Sequence, residues 1–252
     1  MLNNSGLIGV LLTMCAFAPH VAANVEKTIF LGPETINVPH QRPTITDLGL
    51  EVLSPESAET RAIRTYLEAE FPGKDDQGPR KGKTTWLLLD NLKPGQRYEV
   101  RVCWKATQPT SFNLKTHEVP VVWDTPELIS SLSEYSTTRL EKRSTQEGEE
   151  PVQPGRKATE RRGEHEASVL LLEILAAADY FTDDANLMEK VEPVHVDIIL
   201  DPYVFNVLPR SLIPTVLYVL VVAIVFWLVA RRMAAGFREF ASEKANSEKK
   251  KE

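Results

Sequence analysis

TTWLLLDNLKPGQRYEVRVCWKATQPTSFNLK, residues 84–115, carries the strongest local pattern in the chain. Tyr98, Val100, Val102 and Trp104 alternate with Glu99, Arg101, Cys103 and Lys105, the period of a strand with one dry and one wet face. Residues 86–89 form a short apolar run before it, and Pro94-Gly95 marks a turn between the two. Phe112 and Leu114 resume the alternation after Pro109. Short strands separated by tight turns predict a mainly β fold, an antiparallel sandwich.

Within this stretch, Leu92-Lys93-Pro94-Gly95-Gln96-Arg97-Tyr98 resembles the L-x-P-G-x-x-Y corner of fibronectin type III domains, where the tyrosine hydroxyl ties back to the turn. The resemblance implies a fibronectin III/Ig-like sandwich with Leu92, Pro94, Gly95 and Tyr98 as its fold-defining turn, and it implies no function. Working outward, residues 28–31, 35–38 and 45–53 read as strands, with Leu48, Leu50 and Val52 on one parity. Residues 57–71 space Ile63, Leu67 and Phe71 four apart, as a small helical insertion or a long loop would. Fibronectin domains have no helix there. Residues 73–83 read as a charged, Gly-containing loop. Residues 169–178, VLLLEILAAA, are helix or buried strand, whereas Val194, Val196, Ile198 and Leu200 alternate with polar neighbours as a last strand. Residues 137–167 hold almost no large apolar side chains and cannot offset their ordering entropy, so a disordered charged insertion is expected there. It separates a sandwich over 24–136 from a membrane-proximal continuation over 168–210.

Two apolar stretches set the location. Residues 7–18, LIGVLLTMCAFA, are too short for a bilayer span and precede Val21-Ala22-Ala23, a small-residue cleavage site. Residues 1–23 therefore read as a secretory signal peptide, although no Lys or Arg precedes the apolar run. Residues 211–230, SLIPTVLYVLVVAIVFWLVA, lack any ionisable side chain and cover ~30 Å as a helix, the hydrocarbon thickness. Pro214 falls in the first turn, where its missing N–H breaks nothing. The 231–252 tail holds seven basic and four acidic residues, a net +3, against −9 for residues 24–230. The positive-inside bias puts that tail in the cytosol, giving a single-pass type I protein with a luminal sandwich. Its last four residues, Lys249-Lys250-Lys251-Glu252, resemble the dilysine retrieval signal of endoplasmic-reticulum (ER) membrane proteins, which implies coatomer as the reader of Lys249 and Lys250.

The 252 residues are 42% hydrophobic and 25% charged with 12 Gly and 17 Pro, which excludes collagen and wholesale disorder. Once residues 1–23 are removed, Cys103 is the only cysteine, so no internal disulfide staples the fold. A lone cysteine cannot run a dithiol cycle; Cys103 is at most a reactive thiol, and a thiol covered by a neighbouring strand is the commoner arrangement. The histidines are scattered without metal spacing, and there is no Gly-rich phosphate loop, G-x-S-x-G elbow or D-x-D motif. No catalytic residue, cofactor, metal or nucleic-acid partner is assigned. The apolar span has no Asp, Glu, Lys, Arg, His, Asn or Gln for an ion path and no G-x-x-x-G, as suits an anchor packing against larger partners. The expected function is a non-catalytic ER membrane scaffold or accessory subunit that binds luminal or membrane proteins, in a glycosylation or GPI-assembly complex. The alternative is a cargo or quality-control receptor cycling between ER and Golgi. Phe237, Phe240 and the terminal lysines resemble the tails of GOLD-domain cargo receptors, but their luminal disulfide and coiled coil are missing here.

Overall fold

The computed structural model describes residues 24–38, 45–75, 78–80, 82–146 and 165–249. The first sheet runs β1 (Val25–Leu31), β8 (Arg97–Trp104), β12 (Val194–Val204), with β4 (Ala62–Leu67) and β13 (Leu208–Pro209) also pairing along β12. The second runs β3 (Glu51–Leu53), β7 (Lys83–Leu89), β11 (Leu170–Ala178), β9 (Thr110–Glu118). Two ribbons complete the strands: β2 (Ile36–Val38) with β10 (His165–Ala167), and β5 (Gly73–Asp75) with β6 (Gly78–Arg80). Every pairing between these strands is antiparallel except β3 with β7. The helices are α1 (Val119–Asp124), α2 (Pro126–Gln146), α3 (Ala185–Glu189) and α4 (Ile213–Lys249).

The sheets pack face to face. Tyr98, Val100 and Val102 of β8 and Val196, Ile198 and Leu200 of β12 meet Leu87 and Leu89 of β7 and Leu170, Leu172 and Ile174 of β11. Each such aliphatic side chain contributes about 1.5–3 kcal/mol when fully buried. The other face of the second sheet is covered as well, because Trp86, Leu88 and Leu171 pack with Val122 of α1 and Leu132 of α2. The Trp86 indole N–H donates to Ser131 Oγ at 3.2 Å, so its one polar atom is satisfied. Burial on both sides explains why 86–89 is an unbroken apolar run and 169–178 is interrupted only by Glu173, which bonds His117 at 3.0 Å. The 169–178 ambiguity resolves as strand β11, and β12 matches the expected last strand.

Several expectations are corrected. Residues 57–71 are neither helix nor loop throughout, since β4 pairs with β12 from Leu67↔Val194 to Ala62↔Ile199. The four-residue spacing of Ile63 and Leu67 fits period 2 as well as period 3.6, and half-buried Thr65 at the intermediate inward position hides the alternation. Residues 45–53 are not one strand. A 3-10 turn over Ile45–Leu48 ends at Gly49, whose φ of 63° is left-handed, and only Glu51–Leu53 pairs. Within the 73–83 loop, β5 and β6 form a short ribbon. The expectation of a disordered insertion over 137–167 is corrected at both ends, since α2 carries helix through Gln146 and His165–Ala167 form β10; residues 147–164 lie outside those described. The stripe Leu128, Leu132, Tyr135 is the signal for α2 that the strand reading passed over.

β7 and β8 lie in different sheets, so the 92–98 turn is the crossover between them. Tyr98, fully buried, accepts the Lys93 N–H at 2.9 Å on its hydroxyl and donates to Gln96 Oε1 at 3.1 Å. Gly95 sits at φ 71°, which a Cβ would strain. Gly32 packs so closely that a Cβ would meet the Lys93 carbonyl oxygen at 2.2 Å. Replacing Tyr98 by Phe removes both bonds and leaves the Lys93 N–H without its partner; chemical denaturation should show a loss of about 1–3 kcal/mol. An unchanged midpoint would mean the hydroxyl does not hold the corner.

Candidate functional site

The last strand runs on past the core and becomes the membrane connection. Pro202, Tyr203 and Val204 still belong to β12, the chain turns at Phe205-Asn206, and β13 pairs back on Tyr203 and Val204. A short 3-10 turn over Arg210–Leu212 then leads into α4. Residues 202–209, which lead into the apolar helix, therefore fold as a hairpin. The region Arg210–Gly236 is long and apolar enough to cross a membrane, with none of its most apolar window buried against the protein. At the far end of the span, the Arg231 guanidinium lies 5.6 Å from the Trp227 ring centre, as in an interfacial aromatic belt.

Where sandwich and helix meet, the wet face of the first sheet carries buried charge. Glu99 and Asp201 stand directly opposite one another on β8 and β12, and both are less than 5% exposed. Two facing carboxylates repel, and each needs its own partners. Glu99 pairs with Lys27 at 3.2 Å and Arg101 at 3.7 Å, and it accepts the Tyr203 hydroxyl at 3.3 Å. Burial, reinforced by the negative charge of Glu99, pushes the Tyr203 hydroxyl above the ordinary tyrosine range. Asp201 accepts the Ser211 backbone N–H on both oxygens, at 3.3 and 3.2 Å, one residue after the first of the 3-10 turn. A carboxylate there satisfies a free helical N–H and complements the positive end of the helix dipole. Arg101 adds a bond to Ser211 Oγ at 3.4 Å. The connector is also clamped to the crossover: Asn206 accepts the Arg97 N–H at 2.8 Å and donates to the Gly95 carbonyl at 2.9 Å. Gln96 donates to the Tyr203 carbonyl at 3.1 Å.

The sequence-predicted residues fall as follows. Leu92, Pro94, Gly95 and Tyr98 lie in the crossover, and of the four Gly95 takes part in these clamps through its carbonyl. Cys103 lies on the wet face of β8, half-buried between Val25 of β1 and Asp197 of β12. Burial pushes its thiol up, and the neighbouring Arg101 offsets only part of this, so little reactive thiolate forms at neutral pH. Asp197 forms a two-bond pair with Arg64 at 2.6 and 2.8 Å, and those bonds hold its carboxyl below the usual range. Lys249 ends α4; Lys250, like the 1–23 segment, lies outside the described residues. The buried pair Glu99/Asp201 was not singled out from the sequence, where both occupy wet parity positions.

A cleft of about 550 Å³ opens between α2 and the sheet edges. Two ion pairs line it: Arg139 donates to Glu51 Oε1 at 2.8 Å and to the Gly49 carbonyl at 2.9 Å, and Lys142 pairs with Glu68. Among the described residues no group of three His, Cys, Asp or Glu could hold a metal. The site can fix the angle of a membrane helix and present a surface; it offers no nucleophile with its base.

A β-sandwich bonded to one long apolar helix is the build of a single-span membrane protein. Over residues 36–233, the chain matches the family model of the GPI-mannosyltransferase II co-activator, Pga1, and it belongs to that family. No curated protein and no solved structure matches it. The chain is accordingly a non-catalytic subunit of the ER membrane, an accessory in GPI assembly instead of an enzyme.

Replacing Asp201 by Ala removes the acceptor of the Ser211 N–H but also relieves the carboxylate facing Glu99. Amide hydrogen exchange at Ser211 should rise about tenfold or more, because a bond to a charged group contributes about 1.5–3 kcal/mol net, while relief of the repulsion with buried Glu99 offsets the loss in global stability. Asn at 201, still an acceptor, should restore protection. Equal exchange in all three proteins would show that Asp201 does not hold the helix start.

Proposed function

We propose that the sandwich is luminal, that α4 spans the ER membrane once in type I orientation, and that the chain activates a GPI mannosyltransferase by contact. The sandwich and the helix would bind the enzyme's luminal and membrane surfaces together. The observation that carries this reading is the junction: Asp201, Arg101 and Asn206 fix the helix to the crossover, so the two contact surfaces keep one relative geometry. Co-activation without chemistry needs that, since the accessory lowers the ordering cost of its partner only if it is itself preorganised. The basic 231–252 tail supports the orientation, and the tyrosine-tied crossover supports kinship with fibronectin type III sandwiches.

Two experiments test this. Detergent extraction and affinity purification through the tail should recover a multi-span mannosyltransferase in stoichiometric amount, and protease added to sealed microsomes should spare 24–200 and remove the tail. A monodisperse lone chain, or digestion of the sandwich in sealed vesicles, would overturn it. As part of the same reading, we propose that Lys249 and Lys250 serve as a dilysine retrieval signal read by coatomer. Replacing both by Ser should move the protein from the ER to the cell surface in immunofluorescence. Unchanged ER staining would remove the signal from the account.

A further inference from the structure

Phe205 and Asn206, the two central residues of the β12–β13 turn, have φ of 52° and 58°. Paired left-handed residues make a mirror-image hairpin turn, a position suited to Asn, Asp or Gly. Asn206 fits. Phe205 does not: a bulky ring there is strained, and it is 93% exposed, so no packing within the chain compensates. Val207 beside it is 78% exposed. The tip is nonetheless held in place by the two Asn206 bonds to Arg97 and Gly95.

Its surroundings extend the same character. Leu31, 56% exposed, is the register partner of Arg97 on the edge strand β1, and Leu212 is half exposed at the helix start. The Arg97 guanidinium lies 5.9 Å from the Tyr203 ring centre. Six residues link Val207 to Ile213, a reach of at most about 20 Å, and Ser211 within that link is bonded to Asp201 and Arg101. The hairpin therefore stays beside the point where α4 leaves the sandwich.

We infer that the 205–207 hairpin tip is a membrane-contacting element, seating Phe205 and Val207 in the headgroup layer of the leaflet that α4 enters, with Arg97 and Arg210 reaching lipid phosphates. Apolar side chains such as Phe sink to the headgroup–acyl boundary while neighbouring long basic side chains reach the headgroups. The strain at Phe205 is then explained by placement: the turn directs an apolar side chain away from the protein and toward lipid. Together with α4, the tip would fix the sandwich at two points on the bilayer. The inference rests on the reading of α4 as a membrane span.

The test uses the full chain with Cys15 and Cys103 replaced by Ser, reconstituted in phosphatidylcholine–phosphatidylinositol vesicles. Single cysteines at Phe205→Cys, Val207→Cys, Leu220→Cys and Phe181→Cys carry nitroxide labels, and collision with oxygen is compared with collision with a water-soluble nickel chelate. Phe181, 84% exposed, follows β11 at the opposite end of the sandwich from the crossover and serves as the aqueous reference. Labels at 205 and 207 should show an oxygen-to-nickel ratio several-fold above that at 181 and below that at 220. Values at 205 and 207 equal to 181, with 220 reading deep, would overturn the inference and leave the span intact. Shielding at both positions from both reagents would overturn it in favour of a protein contact. A water-like value at 220 would overturn the span itself, and the inference with it.

Discussion

The structure depends on one turn bonded from three sides. The Tyr98 hydroxyl closes the 92–98 crossover on itself, Gly32 meets it from β1, and Asn206 and Gln96 bind it to the membrane connector. Moving the crossover would displace β8, on which both β1 and β12 pair, and would shift the base of α4 in the same motion. Local backbone geometry thus sets the relation between sandwich and span. Without a disulfide among the described residues, this polar network and the two packed layers do the fastening.

The charge around it follows from the same placement. A strand that is half wet in isolation becomes covered once the helix start folds over it, so Glu99 and Asp201 end up buried on the face meant for solvent. Each is then committed to particular donors, Lys27, Arg101 and Tyr203 for one and Ser211 for the other. Removing Lys27 or Arg101 would leave the buried Glu99 carboxylate without one of its cations, which weakens the fold. What the pair supplies is a fixed orientation, the property an activating subunit needs and a freely tethered domain lacks.

Much of this was legible in the residues. Alternation gave β8 and β12, the L-x-P-G-x-x-Y spacing gave the crossover, and the uncharged run gave the span. Other elements stayed hidden for physical reasons. β4 hid because four-residue spacing satisfies two periods, and β11 because a strand covered on both faces shows none. The 45–53 segment misled because a left-handed glycine interrupts a pattern that parity alone continues. The junction was invisible for a different reason: burial of Glu99 and Asp201 comes from a helix start more than a hundred residues from one and ten from the other, and alternation describes only the strand's own two faces.

The position of β12 has a consequence for biogenesis. It is the strand on which β8, β4 and β13 all pair, yet it is the last long strand before the hydrophobic span. During synthesis the first sheet cannot close until the chain has been made through Val204, and the apolar segment follows immediately behind it. Non-local pairing of this kind is slow and leaves edges open while it waits. Folding of the sandwich and handover of the span to lipid are thereby forced into the same interval, and a nascent chain halted before β12 is left without the strand that joins the sheet.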